Sequence, residues 1–188
     1  MVGNSYYFGG NDYVEINSDY NNPLNIQKSL TVTAWMYHKN PLSDGFHQVF
    51  TADNVTGSER GMDYGLGTWG NKWTYGHVES SGKSITVGKN IANPVDKWHL
   101  MTVTRNFNTE NTTYYVDGKL GDYNGSLSGK IKKTRYYKIG AKYNGGFPWK
   151  GKMDEFRIYN RSLSQQEIQR LYNVRSENWA VSGCKLTG

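Results

Sequence analysis

Retaining hydrolysis of a glycosidic bond needs two carboxyl groups about 5 Å apart, so the carboxylates of this chain are the first residues to place. Asp12 and Glu15 fall on opposite faces of any strand that holds both, as do the neighbours Asp154 and Glu155. Glu59 and Asp63 flank a glycine in what reads as a loop, and no Glu-x-Asp-x-Glu run occurs. The pattern argues against paired-carboxylate catalysis, and the chain is expected to be non-enzymatic. His38, His47, His77 and His99 have no partner at i+2 or i+4, so zinc has little support, and His99 after Trp98 reads as a packed position.

Binding is better served. Aromatic rings stack on the apolar faces of sugars, while amides and carboxylates bond their hydroxyls. "GLGTWGNKWTYGH" and "AKYNGGFPWKG" combine rings with turn residues, which makes Trp69, Trp73, Tyr143 and Trp149 candidate ligand contacts. Asp63 precedes the first segment, and Lys142 and Lys150 in the second would favour an acidic or sulfated sugar. Trp35 and Trp98 are expected in the core. Between Asp122 and Asp154 there is no carboxylate, but Lys130, Lys132, Lys133, Arg135, Lys138, Lys142, Lys150 and Lys152 fall inside, a basic stripe that reads as a solvated face or as an attraction to polyanions. Nucleic acid is not the expected partner, because Tyr136 and Tyr137 split across two strand faces and no nucleic-acid-binding motif accompanies them. The sequons at Asn54, Asn111, Asn124 and Asn160 read as chance in an Asn- and Thr-rich chain.

The elements that must hold these residues are mostly strands. The 188 residues suit one domain, and 15 Tyr, 6 Trp and 22 Gly with few Ala or Leu runs favour short strands joined by turns. No apolar stretch approaches the roughly 20 residues of a membrane span, and the start lacks the apolar segment of a signal peptide. The single Cys184 excludes an internal disulfide. In "SLTVTAWMYH", Leu30, Val32, Ala34 and Met36 share one face and Thr31, Thr33, Trp35 and Tyr37 the other, the pattern of a central strand covered on both sides. "WHLMTVTR" and "TTYYVDG" are further strands, the second ending in the hairpin signal Asp117-Gly118, and Gly70-Asn71 marks another hairpin. Met153 breaks the parity of Phe156 and Ile158, which predicts a bulge near Asp154-Glu155.

The chain then specifies one helix. Ser164 and Glu167 form a capping box, and Leu163 with Ile168 supplies a hydrophobic staple. Ile168, Leu171 and Tyr172 fall on one face, so about three turns are expected to cap the open end of a sandwich. From Val174 the chain reads as a polar tail, with Trp179 and Val181 as contacts for a neighbouring subunit.

The run "WKGKMDEFRIYNRSLSQQEIQRLYN", the middle "DKWHLMTVTRN" with "TTYYVDGKL", and the opening "YYFGGNDYVEI" with "SLTVTAWMY" resemble, in that order, laminin-G-like jelly-roll domains of the concanavalin A-like lectin/glucanase superfamily. The likeness spans Ser5 to Asn173. It implies an all-β, two-sheet antiparallel sandwich over residues 1–173, with a tail over 174–188, and binding on a concave face or its rim loops. It also implies one structural calcium where the first and last strands meet, for which Asn11, Asp12 and Asp154 are the expected ligands. "RYYKIGAKYNGG" faintly resembles a strand of alginate lyases that would make Tyr143 a proton donor, but the Gln-Ile-His and Arg-rich strands of that family are missing. The expectation is a non-catalytic, lectin-like module of an extracellular, cell-surface or virion assembly, binding glycan or a glycosylated surface. The alternative is a structural decorating, fibre or pilus subunit that binds no sugar.

Overall fold

The structure, a computed structural model, describes residues 5–17, 21, 23–37, 46–53, 64–69, 72–78, 84–89, 96–126, 128–134, 136–141 and 147–182. In chain order the strands are β1 (Tyr6–Gly9), β2 (Val14–Asn17), β3 (Leu30–Tyr37), β4 (Phe46–Asp53), β5 (Tyr64–Trp69), β6 (Lys72–Val78), β7 (Ser84–Lys89), β8 (His99–Arg105), β9 (Asn111–Val116), β10 (Lys119–Ser126), β11 (Tyr136–Ile139) and β12 (Lys150–Tyr159). One helix, α1 (Gln165–Ser182), follows. Two six-stranded sheets result, in the orders β1-β12-β3-β8-β9-β10 and β2-β11-β4-β5-β6-β7. This is the all-β sandwich that the alternation and the family resemblance predict.

Alternation in β3 sets the layers. Leu30, Val32, Ala34 and Met36 enter the inter-sheet core with Val103, Phe50, Leu66, Tyr75 and Tyr137. β3 lies between β12 and β8, a central strand as its two apolar faces require. The predicted hairpin forms at Asp117 and Gly118, whose φ values of 52° and 73° suit the tight turn that right-twisted strands prefer. The Asp117 carboxylate accepts the Leu100 N–H at 2.9 Å and contacts His99 Nδ1 at 2.7 Å, which ties the turn to β8. The predicted bulge is also present: the β12–β3 register shifts between Asp154 and Arg157, and Glu155 takes a φ of 51°.

The helix start is built from both expected parts. Glu167 accepts the Ser164 N–H at 2.8 Å, and Ser164 Oγ accepts the Glu167 N–H at 3.3 Å. Leu163 and Ile168 are buried together with Tyr115, and Leu171 packs against them. Two expectations about this helix are corrected. It does not plug the open end between the sheets: Tyr115 and Trp35 lie on the face of the first sheet opposite the core, and Tyr172 stacks on Trp35 at 5.6 Å and 23°. The helix is therefore the second cover that β3 needs. It also runs for 18 residues, to Ser182, where a polar tail was expected from Val174.

Candidate functional site

β11 ends at Gly140 because nothing larger fits: its φ is +88°, and a Cβ there would meet the Phe8 ring at 2.4 Å. Trp149 N–H donates to Gly140 O at 2.7 Å, which closes a neck between the two described ends of the 140–149 segment. β4 holds both sides of that neck. Thr51 Oγ1 donates to Ala141 O at 3.1 Å, and Gln48 N–H donates to Phe147 O at 2.8 Å. His47 Nδ1 lies 2.8 Å from Pro148 O, and since a carbonyl only accepts, the proton sits on that nitrogen.

Trp149 belongs to this neck and not to a rim. It is wholly buried among the core residues, so the expectation that its ring stacks on a ligand is corrected. Its neighbours on the loop, Lys142 and Tyr143, lie outside the described residues, as does Asp63.

Register relates the two turn segments. Trp69 and Lys72 face each other across the β5–β6 turn, Trp73 faces Thr68, and Thr68 faces His47. Pro148 bridges to Gln48, beside His47. Pro148 and the facing backbone pair Trp69–Lys72 thus lie toward one end of the second sheet, about three strand spacings or ~14 Å apart.

Beside the neck, on the outward face of the second sheet, is a cluster that the sequence reading missed. Lys138 and Glu15 are direct cross-strand partners, with Nζ 2.8 Å from Oε2, and the Tyr13 ring lies 4.0 Å from the same Nζ. Lys138 is only 7% exposed, and Thr51, its partner on the other side, is 1% exposed. One member of the basic stripe is therefore neutralised in place, whereas Lys130, Lys133, Lys150 and Lys152 remain exposed. The matching parity of Tyr13 and Glu15 was legible; their pairing with a strand more than 100 residues later was not.

The three donors named for calcium are separated along the strand pairing. The first and last strands do pair, but Gly9 faces Lys150 and Tyr6 faces Met153. Asp12 turns back to accept the Gly9 N–H at 2.6 Å, so Asp12 sits at the Lys150 end of the pairing. Asp154, four residues further along β12, is about 13 Å away, whereas oxygens sharing one calcium lie within about 5 Å of each other. Asn11, Asp12 and Asp154 do not form one site, and no cluster of three or more metal-binding side chains of the His, Cys, Asp or Glu type exists among the described residues. Asp154 instead accepts the Glu155 N–H of its own bulge at 2.8 Å, and Glu155 pairs with Arg157.

Two six-stranded antiparallel layers and a cross-strand ion pair on the outward face of the second define a jelly-roll module. The chain belongs to the concanavalin A-like lectin/glucanases superfamily: its Laminin_G_3 family model matches residues 8–169. Among solved structures it is similar to the receptor binding domain of botulinum neurotoxin mosaic serotype C/D, at 15% identity and a TM-score of 0.70 over 92% of this chain and 42% of that one. It is also similar to the binding domain of botulinum neurotoxin serotype G, at 14% identity and a TM-score of 0.63 over 92% of this chain and 47% of that one. A third likeness, to the structure of NanB plus Optactamide, has 16% identity and a TM-score of 0.73 over 89% of this chain and 27% of that one. The chain thus spans less than half of each of these proteins, and at such identities the likeness is one of fold. No helix among the described residues is long and apolar enough to cross a membrane.

Proposed function

We propose that this chain is a non-catalytic binding module that recognises glycan, or a surface carrying it, as part of a larger extracellular, cell-surface or virion assembly. The observation that supports the reading is that Pro148, which ends one aromatic and turn-rich segment, bridges to Gln48 beside His47, while His47 faces Thr68 and Thr68 faces Trp73 of the other. Trp69, Trp73, Lys142 and Tyr143 are the residues assigned to ligand. Exposed Lys150 beside the loop and exposed Lys152 favour an acidic glycan, because Lys138 already has its counter-charge in Glu15. The botulinum neurotoxin neighbours, which are receptor-binding domains, lend the fold a precedent for this use. Against catalysis, Glu15, Asp117 and Glu155 are each held by a basic partner, His99 in the case of Asp117.

The test is a glycan array covering neutral, uronic and sulfated glycans, run in calcium and in chelator. It uses the wild type, Trp73→Ala and Tyr143→Ala. Binding that favours acidic glycans and is lost in both variants, with melting temperature retained, is the expected result. Silence across the array would defeat this reading in favour of a purely structural subunit.

A further inference from the structure

The helix shuts the outward face of the first sheet around Trp35, and the far end of that face is finished differently. Strand register lines up four side chains there. Tyr7 of β1 stands opposite Lys152 of β12, and Lys152 stands opposite Tyr37 of β3. Tyr37 is met in turn by Trp98, just before β8, with ring centroids 5.7 Å apart and planes tilted by 45°. The row crosses three strand spacings, ~14 Å. Tyr7 is 69% exposed and Lys152 is exposed, while Tyr37 and Trp98 are half-buried. Trp98, expected in the core, thus keeps part of its surface open.

Folding alone does not call for this pattern. A ring paired with a lysine across strands steadies a sheet a little, but Tyr7 leaves most of its surface in water and gains nothing there from burial. The Lys152 ammonium lies 5.8 Å from the centre of the Tyr37 ring and makes no ion pair with a described residue. Asp154, two residues further along β12 and opposite Trp35, bounds the row on the helix side, where its carboxylate accepts the Glu155 N–H. The row is therefore a cation set between aromatic rings on an open strip of sheet.

We propose that Tyr7, Lys152, Tyr37 and Trp98 form a second glycan-binding surface, which takes a short stretch of a uronic-acid-containing polysaccharide laid across the strands. Sugar rings rest on Tyr7 and on the Tyr37–Trp98 pair, and a carboxylate of the chain meets Lys152 between them. One cation between rings suits a chain with a single charge on an otherwise apolar sugar face, whereas a densely sulfated chain needs a run of cations. The inference rests on the glycan reading above, but it uses the opposite sheet from Trp73.

Tetragalacturonic acid is the probe, and its methyl ester, neutral on the same backbone, is the control. Titrated into the 188-residue chain and followed by amide and indole N–H NMR, the acid is expected to shift Tyr7, Tyr37, Trp98 and Lys152. It should bind about fivefold more tightly than the ester, a preference that Lys152→Gln removes. Tyr7→Ala should weaken acid and ester alike, about fivefold, with the melting temperature unchanged. Trp73→Ala should leave these shifts in place. Shifts confined to the β5–β6 turn, or unchanged affinity in both Tyr7→Ala and Lys152→Gln, would overturn the second surface and leave the glycan reading standing. A Tyr7→Ala variant that loses stability but not affinity would do the same, since the row would then only brace the sheet. No shift with either tetrasaccharide at millimolar concentration would also overturn it, and a silent glycan array besides would remove the glycan reading as well.

Discussion

The outward faces of the two sheets are finished in opposite ways. On the first, Trp35, Tyr115 and the helix residues Ile168, Leu171 and Tyr172 make a second, smaller core, and the face is shut there. On the second, the outward positions of β2, β11 and β4 include Glu15, Lys138 and Thr51, with Tyr13 just before β2 against the Lys138 ammonium and Ala141 tied to Thr51. Hydrophobic closure needs only area, and it is insensitive to which apolar group meets which. The Glu15–Lys138 pair, with 34% of the carboxylate side chain but only 9% of the lysine side chain exposed, instead depends on which charge stands opposite which. The difference teaches that one face is closed by apolar packing against the helix, while the other is finished with polar and ion-paired groups.

The largest effect should come from breaking the shut face. Trp35 is 3% exposed beneath Tyr172, and Trp35→Ala removes the floor on which the helix rests. A loss of about 3–5 kcal/mol is expected, from burial and the cavity left behind. Thermal melting measures it. Hydrogen exchange should show α1 losing protection while β4 and β11 keep theirs; equal loss everywhere would mean that the two faces are not separable.

A smaller effect tests the start of the same helix. The hydrogen bond from Arg161, then the backbone and side-chain bonds from Ser164, pull the Glu167 carboxyl down from 4.5 to about 2. A carboxyl lowered on folding stabilises above its unfolded pKa and loses that contribution as pH falls through the folded value. The melting-temperature difference between wild type and Glu167→Gln should therefore be constant above pH 4.5 and shrink to nothing near pH 2. A difference that is flat across this window would remove Glu167 from the cap.

These contrasts also explain what the sequence revealed. The capping box, the Asp117-Gly118 turn and the bulge at Asp154 are local signals, decided within a few residues, and all three form where they were read. The outward row Thr31, Thr33, Trp35 and Tyr37 announced that something covers β3, but not that the helix does so. Trp149 failed as a surface ring because its neighbours in sequence, Asn, Gly and Lys, describe a loop, whereas its neighbours in space are the core. The calcium trio failed on register. Pairing of the first and last strands was read correctly, but each residue of slip moves a side chain by about 3.3 Å and to the other face. The Glu15–Lys138 pair escaped for the same reason, since it depends on which residue of β11 stands opposite β2.

The smallest expected effect bears most directly on the loop face. Glu15→Gln leaves Lys138 without its carboxylate but still 4.0 Å from the Tyr13 ring, so the ammonium keeps a partner. Exposure of Glu15 screens the lost attraction, and the change in stability should be about 1 kcal/mol or less. It should shrink further between low and high salt, because the carboxylate side of the pair, 34% exposed, is reached by counter-ions. Affinity should behave differently. Glu15→Gln takes away one exposed anion from beside the 140–149 neck, so binding of acidic glycans should strengthen while neutral glycans are unaffected. If Glu15→Gln instead lowers stability by several kcal/mol with no change in glycan preference, the pair is a structural tie like Trp35, and the two faces differ in composition without differing in purpose.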